Sequence, residues 1–202
     1  MLKPGTLISW AILLIFGGGG VGALVLALRG TPATNTEPLV RAGWAVTEGS
    51  GNVRWRATHD VGGVTVTVTA TQSGNRTRSA RTLVEVPAPG PGAVLVTRKG
   101  PALFAVDGPF ASALGFTPPP RWTAGSADFQ AVAEAYATDD ATGARWLTAT
   151  AQVQLTSAFR SIEPLLGVSR EQGRWTAQLS GEQADPIVLE SVVSVLGALN
   201  VP

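Results

Sequence analysis

The chain has 202 residues, 45% of them hydrophobic and only 14% charged, with a formal net charge of +1. A soluble domain carries roughly a quarter charged residues, and mean hydropathy here is positive at +0.21. These values exclude intrinsic disorder, which needs low hydrophobicity and high net charge, and they give no global attraction to nucleic acid. With no cysteine and one histidine, disulfides, thiolate chemistry, Cys-ligated zinc, iron–sulfur clusters and multi-His metal sites are excluded.

The first predicted element is a membrane helix. Residues 7–28 form an uncharged run broken in polarity only by Ser9, with Lys3 before it and Arg29 after it. At about 1.5 Å per residue it reaches roughly 33 Å, enough to cross a hydrocarbon core. Trp10 lies near one interface, where indoles anchor, and Gly30-Thr31-Pro32 stops the helix. The competing reading is a cleaved signal peptide. That requires a shorter apolar core of about 7–15 residues and a small-x-small cleavage site, which Leu-Ala-Leu-Arg does not supply. Gly18 and Gly22, and Gly19 and Ala23, have the small-xxx-small spacing that lets membrane helices approach closely. The flanking charges are balanced, and orientation rests on composition, which leans toward an extracytoplasmic domain at the bacterial inner membrane.

Residues 30–40 read as a linker, leaving residues 41–202 as one domain of ordinary size. Trp44, Val46 and Val53–His59 are short strand candidates. Val64 to Ala70 alternates valine and threonine, placing Val64, Val66 and Val68 on one face. Arg81–Val86, Ala93–Arg98 and Leu103–Val106 follow as strands. The segment Pro87-Ala88-Pro89-Gly90-Pro91-Gly92 is too rich in proline for a tight hairpin. Phe129–Ala137 reads as a strand and Ala144–Phe159 as a helix opened by Asp139-Asp140. Gly167–Glu171 and Arg174–Leu179 form a hairpin turning at Gln172-Gly173. Asp185-Pro186 starts a closing helix whose apolar face is Leu189, Val192, Val193, Leu196 and Leu199. The expected fold is α+β: one N-terminal transmembrane helix, then a mainly antiparallel sheet with two helices from the C-terminal half.

The second half resembles an uncharacterised bacterial single-pass membrane-anchored protein family. The blocks that carry the resemblance are Gly125-Ser126-Ala127-Asp128-Phe129-Gln130, Asp139-Asp140, Ala144-Arg145-Trp146-Leu147-Thr148 and Glu171-Gln172-Gly173-Arg174. It covers roughly residues 60–200 as a pattern of elements with few matching letters, and Gln130 stands where the pattern has an acidic residue. The resemblance implies an anchored α+β domain with no assigned activity.

Candidate sites are sparse. His59 stands alone, without a second ligand set, and beside Asp60 it reads as a strand end. Asp139 and Asp140 could do acid–base work if their environments differed, yet adjacent carboxylates before a helix read as a cap. No Gly-x-Ser-x-Gly elbow, Walker motif or dinucleotide fingerprint is present. Arg76, Arg78 and Arg81 form the one basic cluster, suited to lipid headgroups or an acidic partner, or to a plain solvated loop. Of six tryptophans, Trp122, after three prolines, is expected to be the exposed contact anchor. The expectation is therefore a non-catalytic accessory or scaffolding subunit of a larger membrane complex, respiratory, photosynthetic or secretory. It would bind neither cofactor nor metal, and its partners would be other membrane subunits and the bilayer. A tethered ligand-binding or sensing domain is the alternative.

Overall fold

The structure, a computed structural model, describes residues 35–73, 79–100 and 119–200. After a short helix α1 (Glu37–Arg41) come β1 (Ala45–Glu48), β2 (Val53–Val61), β3 (Val64–Ser73), β4 (Ser79–Pro87), β5 (Val94–Arg98) and β6 (Arg121–Trp122). The chain continues through α2 (Ala127–Val132), β7 (Ala133–Ala137), α3 (Asp140–Trp146), α4 (Ala149–Ser161), β8 (Leu165–Glu171), β9 (Arg174–Ser180) and α5 (Pro186–Ala198). The nine strands make one antiparallel sheet in the order β1-β2-β3-β4-β9-β8-β5-β7-β6. The four strands β1–β4 are a meander, and β4 and β5 are separated by the β8–β9 hairpin, in keeping with a connection too rich in proline for a tight hairpin.

Register explains where the core lies. Val46, Ala57, Val68, Val84, Ala177, Val168, Val96, Ala135 and Trp122 oppose one another in a single row across all nine strands. All but the edge residue Val46 are buried. Period-two alternation puts these residues on one face, and the helices bury it. Helix α5 packs on β4 and β9, α4 on β8, and α3 on β5 and β7. Leu39 of α1 joins the same core.

The helices begin where side chains can accept the free N–H groups of the first turn. Ser126 accepts from Phe129, Asp139 from Thr142, Thr148 from Ala151 and Asp185 from Ile187, whose helix opens with Pro186. Asp139 and Asp185 match the predicted starts. Two caps correct the sequence reading. Ser126 turns Ala127–Val132 into a helix, so only Ala133–Ala137 of the expected Phe129–Ala137 strand is extended. Thr148 divides the expected Ala144–Phe159 helix into α3 and α4. The described residues of the C-terminal half thus hold four helices rather than two, and α1 begins within the expected linker, at Glu37. Residues 7–28 with Gly18, Gly19, Gly22, Ala23 and Trp10, and the strand expected at Leu103–Val106, lie outside the described residues. Among the described residues no helix is long and apolar enough to cross a membrane.

Candidate functional site

Trp122 is not exposed. Only 6% of it is accessible, because β6 pairs with β7 in the core row and Gly143 of α3 lies against the indole. A Cβ at Gly143 would stand 2.4 Å from Trp122 Cδ1 and Nε1. Trp44, Trp55, Trp146 and Trp175 are buried as well. Arg76 and Arg78 lie outside the described residues. Arg81 projects from the face opposite the helices, where the Gln178 amide oxygen, oriented toward it, accepts two N–H groups at 2.7 and 3.3 Å. His59 stacks on Trp44 with ring centroids 5.0 Å apart, and its Nδ1 is 3.3 Å from the Gly43 carbonyl. Asp139 accepts the Thr142 N–H at 2.7 Å. That bond, and then the Thr142 hydroxyl, hold its carboxyl below the ordinary value. Asp140 is the first residue of α3. The acidic pair therefore caps a helix, and among the described residues no three His, Asp or Glu side chains converge as metal ligands would.

The sequence reading missed two inward arginines. Arg170 is fully buried, on the apolar face between Trp175 and Val94. Its Nη1 donates to the carbonyls of Pro91 and Gly92 at 3.1 and 2.6 Å. Its Nη2 donates to those of Ala88 and Gly90 at 2.8 and 2.6 Å. The Trp146 ring lies 3.8 Å from its Cζ, and Trp146 Nε1 also donates to Pro91. Burial, and then the Arg145 charge, lower the pKa of Arg170, yet a guanidinium stays charged. This cation locks the strap from β4 to β5 across the β8–β9 hairpin. Gly90 and Gly92, both at positive φ, let the strap bring its carbonyls inward. Arg98 caps the end of α4 by donating to the carbonyls of Phe159, Ile162 and Glu163, the favourable place for a cation. One signal was available. Val94, Val96 and Arg98 share a strand phase, as do Val168 and Arg170, so both arginines fall on apolar positions.

With these groups committed to structure, the remaining chemical surface is the opposite face of the sheet, which no described helix covers. Its central row runs Ala45, Thr58, Thr67, Glu85, Thr176, Ser169, Leu95, Tyr136 and Arg121. It is mostly hydroxyl-bearing, though Tyr136 is itself buried, and its two charges are paired: Glu85 with Arg174 at 3.1 Å and Arg121 with Glu134 at 3.2 Å. A depression of about 270 Å³ opens on this face, lined by Thr65, Thr67, Glu85, Val86, Pro87, Gln172, Gly173 and Arg174. Small-molecule sites are typically concave and mostly apolar. This one is shallow and polar, with no tryptophan in its lining.

No protein-family model matches the sequence, nor does any curated protein sequence. The chain is similar in structure to the crystal structure of the mycobacterial trehalose monomycolate transport factor A, TtfA, with a TM-score of 0.53. That similarity covers 82% of this chain and 89% of that one at 10% sequence identity. At this identity the similarity establishes a shared fold: a broad antiparallel sheet with helices on one face.

Proposed function

We propose that this protein is a non-catalytic accessory subunit of a membrane assembly, held by a helix over residues 7–28 and docking its partner through the uncovered sheet face. The observation that carries the reading is that face itself, a broad hydroxyl-rich surface whose central row holds its two charges, Glu85 and Arg121, in ion pairs. Such a row contributes hydrogen bonds and shape at a low cost of desolvating lone charges. A solved protein of this fold is named a transport factor, which supports an auxiliary role beside a transporter at the bacterial inner membrane. The ligand-binding alternative called for an apolar pocket lined by tryptophan, and the five tryptophans of the described residues instead fill the core.

The test is gentle solubilisation of native membranes and purification through the tagged full chain. A stoichiometric membrane assembly is the expected result, and a lone monomer would overturn the reading. A double variant, Thr67→Arg with Thr176→Arg, flanks Glu85 on the open face. It should release the assembly while leaving the thermal unfolding midpoint nearly unchanged.

A further inference from the structure

The β2–β3 hairpin outruns its neighbours. Strand β1 pairs only with Trp55–Thr58, and β4 reaches β3 only from Thr67 onward. Residues 59–66 therefore project as a two-stranded ribbon, closed by Gly62 and Gly63, whose φ values of +62° and +81° suit a two-residue type I′ turn. The ribbon is two-sided. Asp60 and Thr65 oppose each other on the uncovered sheet face, and the Asp60 carboxylate accepts the Gly63 N–H at 2.9 Å. Val61 and Val64 oppose each other on the helix-bearing face. That face buries Val66 to 1% exposure, but beyond Val66 no described helix continues over it, and Val61 and Val64 are 44% and 39% exposed.

Val40 of α1, 56% exposed, belongs to the same corner. Gly43 N–H donates to the Val40 carbonyl, and the Gly43 carbonyl meets His59 at the ribbon's base. Of the five exposed large hydrophobic residues among the described residues, Val61 and Val64 thus pair at the ribbon's end and Val40 lies on α1, which the Gly43–His59 contact joins to the ribbon's base, while Val153 and Ile187 lie on other helices.

Helix α1 is also the first described helix after the apolar run in the sequence. Residues 29–36 separate that run from α1, and eight residues span at most roughly 28 Å. We propose that Val40, Val61 and Val64 seat this corner on the bilayer surface, with Asp60 and Thr65 turned toward water. The inference rests on the membrane anchoring of residues 7–28. Given that anchor, the tether supplies a high effective concentration, so a small apolar contact suffices to hold the domain down.

The absence of cysteine permits clean single-site labelling. Full-length Val61→Cys, Val64→Cys, Thr65→Cys, Ile187→Cys and Leu14→Cys variants would each carry an environment-sensitive fluorophore. Each would be reconstituted into phosphatidylcholine vesicles containing phosphatidylglycerol and nitroxide lipids. Labels at 61 and 64 should shift to the blue and lose intensity with nitroxide near the headgroups, while labels at 65 and 187 remain unchanged. A label at 14 should be quenched by nitroxide near the acyl termini. Quenching at 14 with 61 and 64 behaving like 187 would overturn the corner contact and leave the anchor standing. No quenching at 14 would overturn the anchor and the proposal with it. Protection of 61 and 64 in native membranes but not in vesicles would assign the corner to a protein partner and overturn the bilayer contact.

Discussion

Arg170 shows how a single charge can be spent on architecture. Four main-chain carbonyls of the strap converge on one guanidinium, and removing the side chain takes this donor from all four, with Pro91 alone keeping the Trp146 indole N–H. Orphaned buried acceptors cost about 1–3 kcal/mol each, so Arg170→Met should destabilise the domain by about 3–5 kcal/mol in urea titrations. Arg170→Lys should recover only part of that loss, since an ammonium has three donors and no planar fork. Gly143 tests the placement of Trp122. Alanine would gain about 1 kcal/mol in helix propensity, but its methyl meets an indole held in the core row. Gly143→Ala should therefore lose about 1–3 kcal/mol net by overpacking, read by thermal unfolding. Asp139 tests the cap. Its folded-state pKa is depressed below 3.8, so its contribution is complete above the unfolded value and vanishes as pH falls through the folded one. The stability gap between wild type and Asp139→Ala should be open at neutral pH and close on acidification, measured by denaturant unfolding across pH.

At the level of elements, legibility followed the strength of local chemistry. The Val-Thr alternation of β3, the Gln172-Gly173 turn and the Asp185-Pro186 helix start each combine pattern and special residues that admit one conformation, and each stands where the sequence placed it. Phe129 to Ala137 was ambiguous because its alternate residues are mostly alanine, which suits a helix as well as a buried strand. The deciding interaction is the Ser126 cap, joined by the Gln152 side chain, whose oxygen accepts the Ser126 N–H at 2.7 Å. That contact joins residues 26 apart in sequence, beyond the reach of a local pattern. The break at Thr148 carries only the weak signal of one hydroxyl-bearing, β-branched residue within a continuous helical run, and its side chain becomes a cap by accepting the Ala151 N–H. Strand β6 spans two residues, too few to show a period. The candidate site was less legible still, since an uncovered face is defined by which helices pack elsewhere. Trp122 was misjudged because a tryptophan beside three prolines reads as loop, while its burial depends on β7 and Gly143.

For the molecule as a whole, the sheet has two unequal faces and two short edges. The edge strands β1 and β6 have four and two residues, which limits uncontrolled pairing with other chains and leaves the broad face as the larger surface for association. The low charge of the sequence acquires a place in this picture. Much of the uncovered face is threonine and serine, and Glu85 and Arg121 of its central row are held in ion pairs with Arg174 and Glu134.

The strand order carries a consequence for how the chain comes to be folded during synthesis. Strands β4 and β5 are consecutive in the chain, yet β9 and β8 lie between them. Until residues 165–180 have left the ribosome, the first meander and the β5–β7 group each present a long unpaired edge. The last-made hairpin is the keystone that closes both edges at once, and Arg170 arrives on it to fasten the waiting strap. Long-range pairing of this kind is slow and exposes edges meanwhile. A chain ending before Leu165 should therefore aggregate rather than remain a soluble half-domain, a difference that sedimentation of the truncated product reads directly.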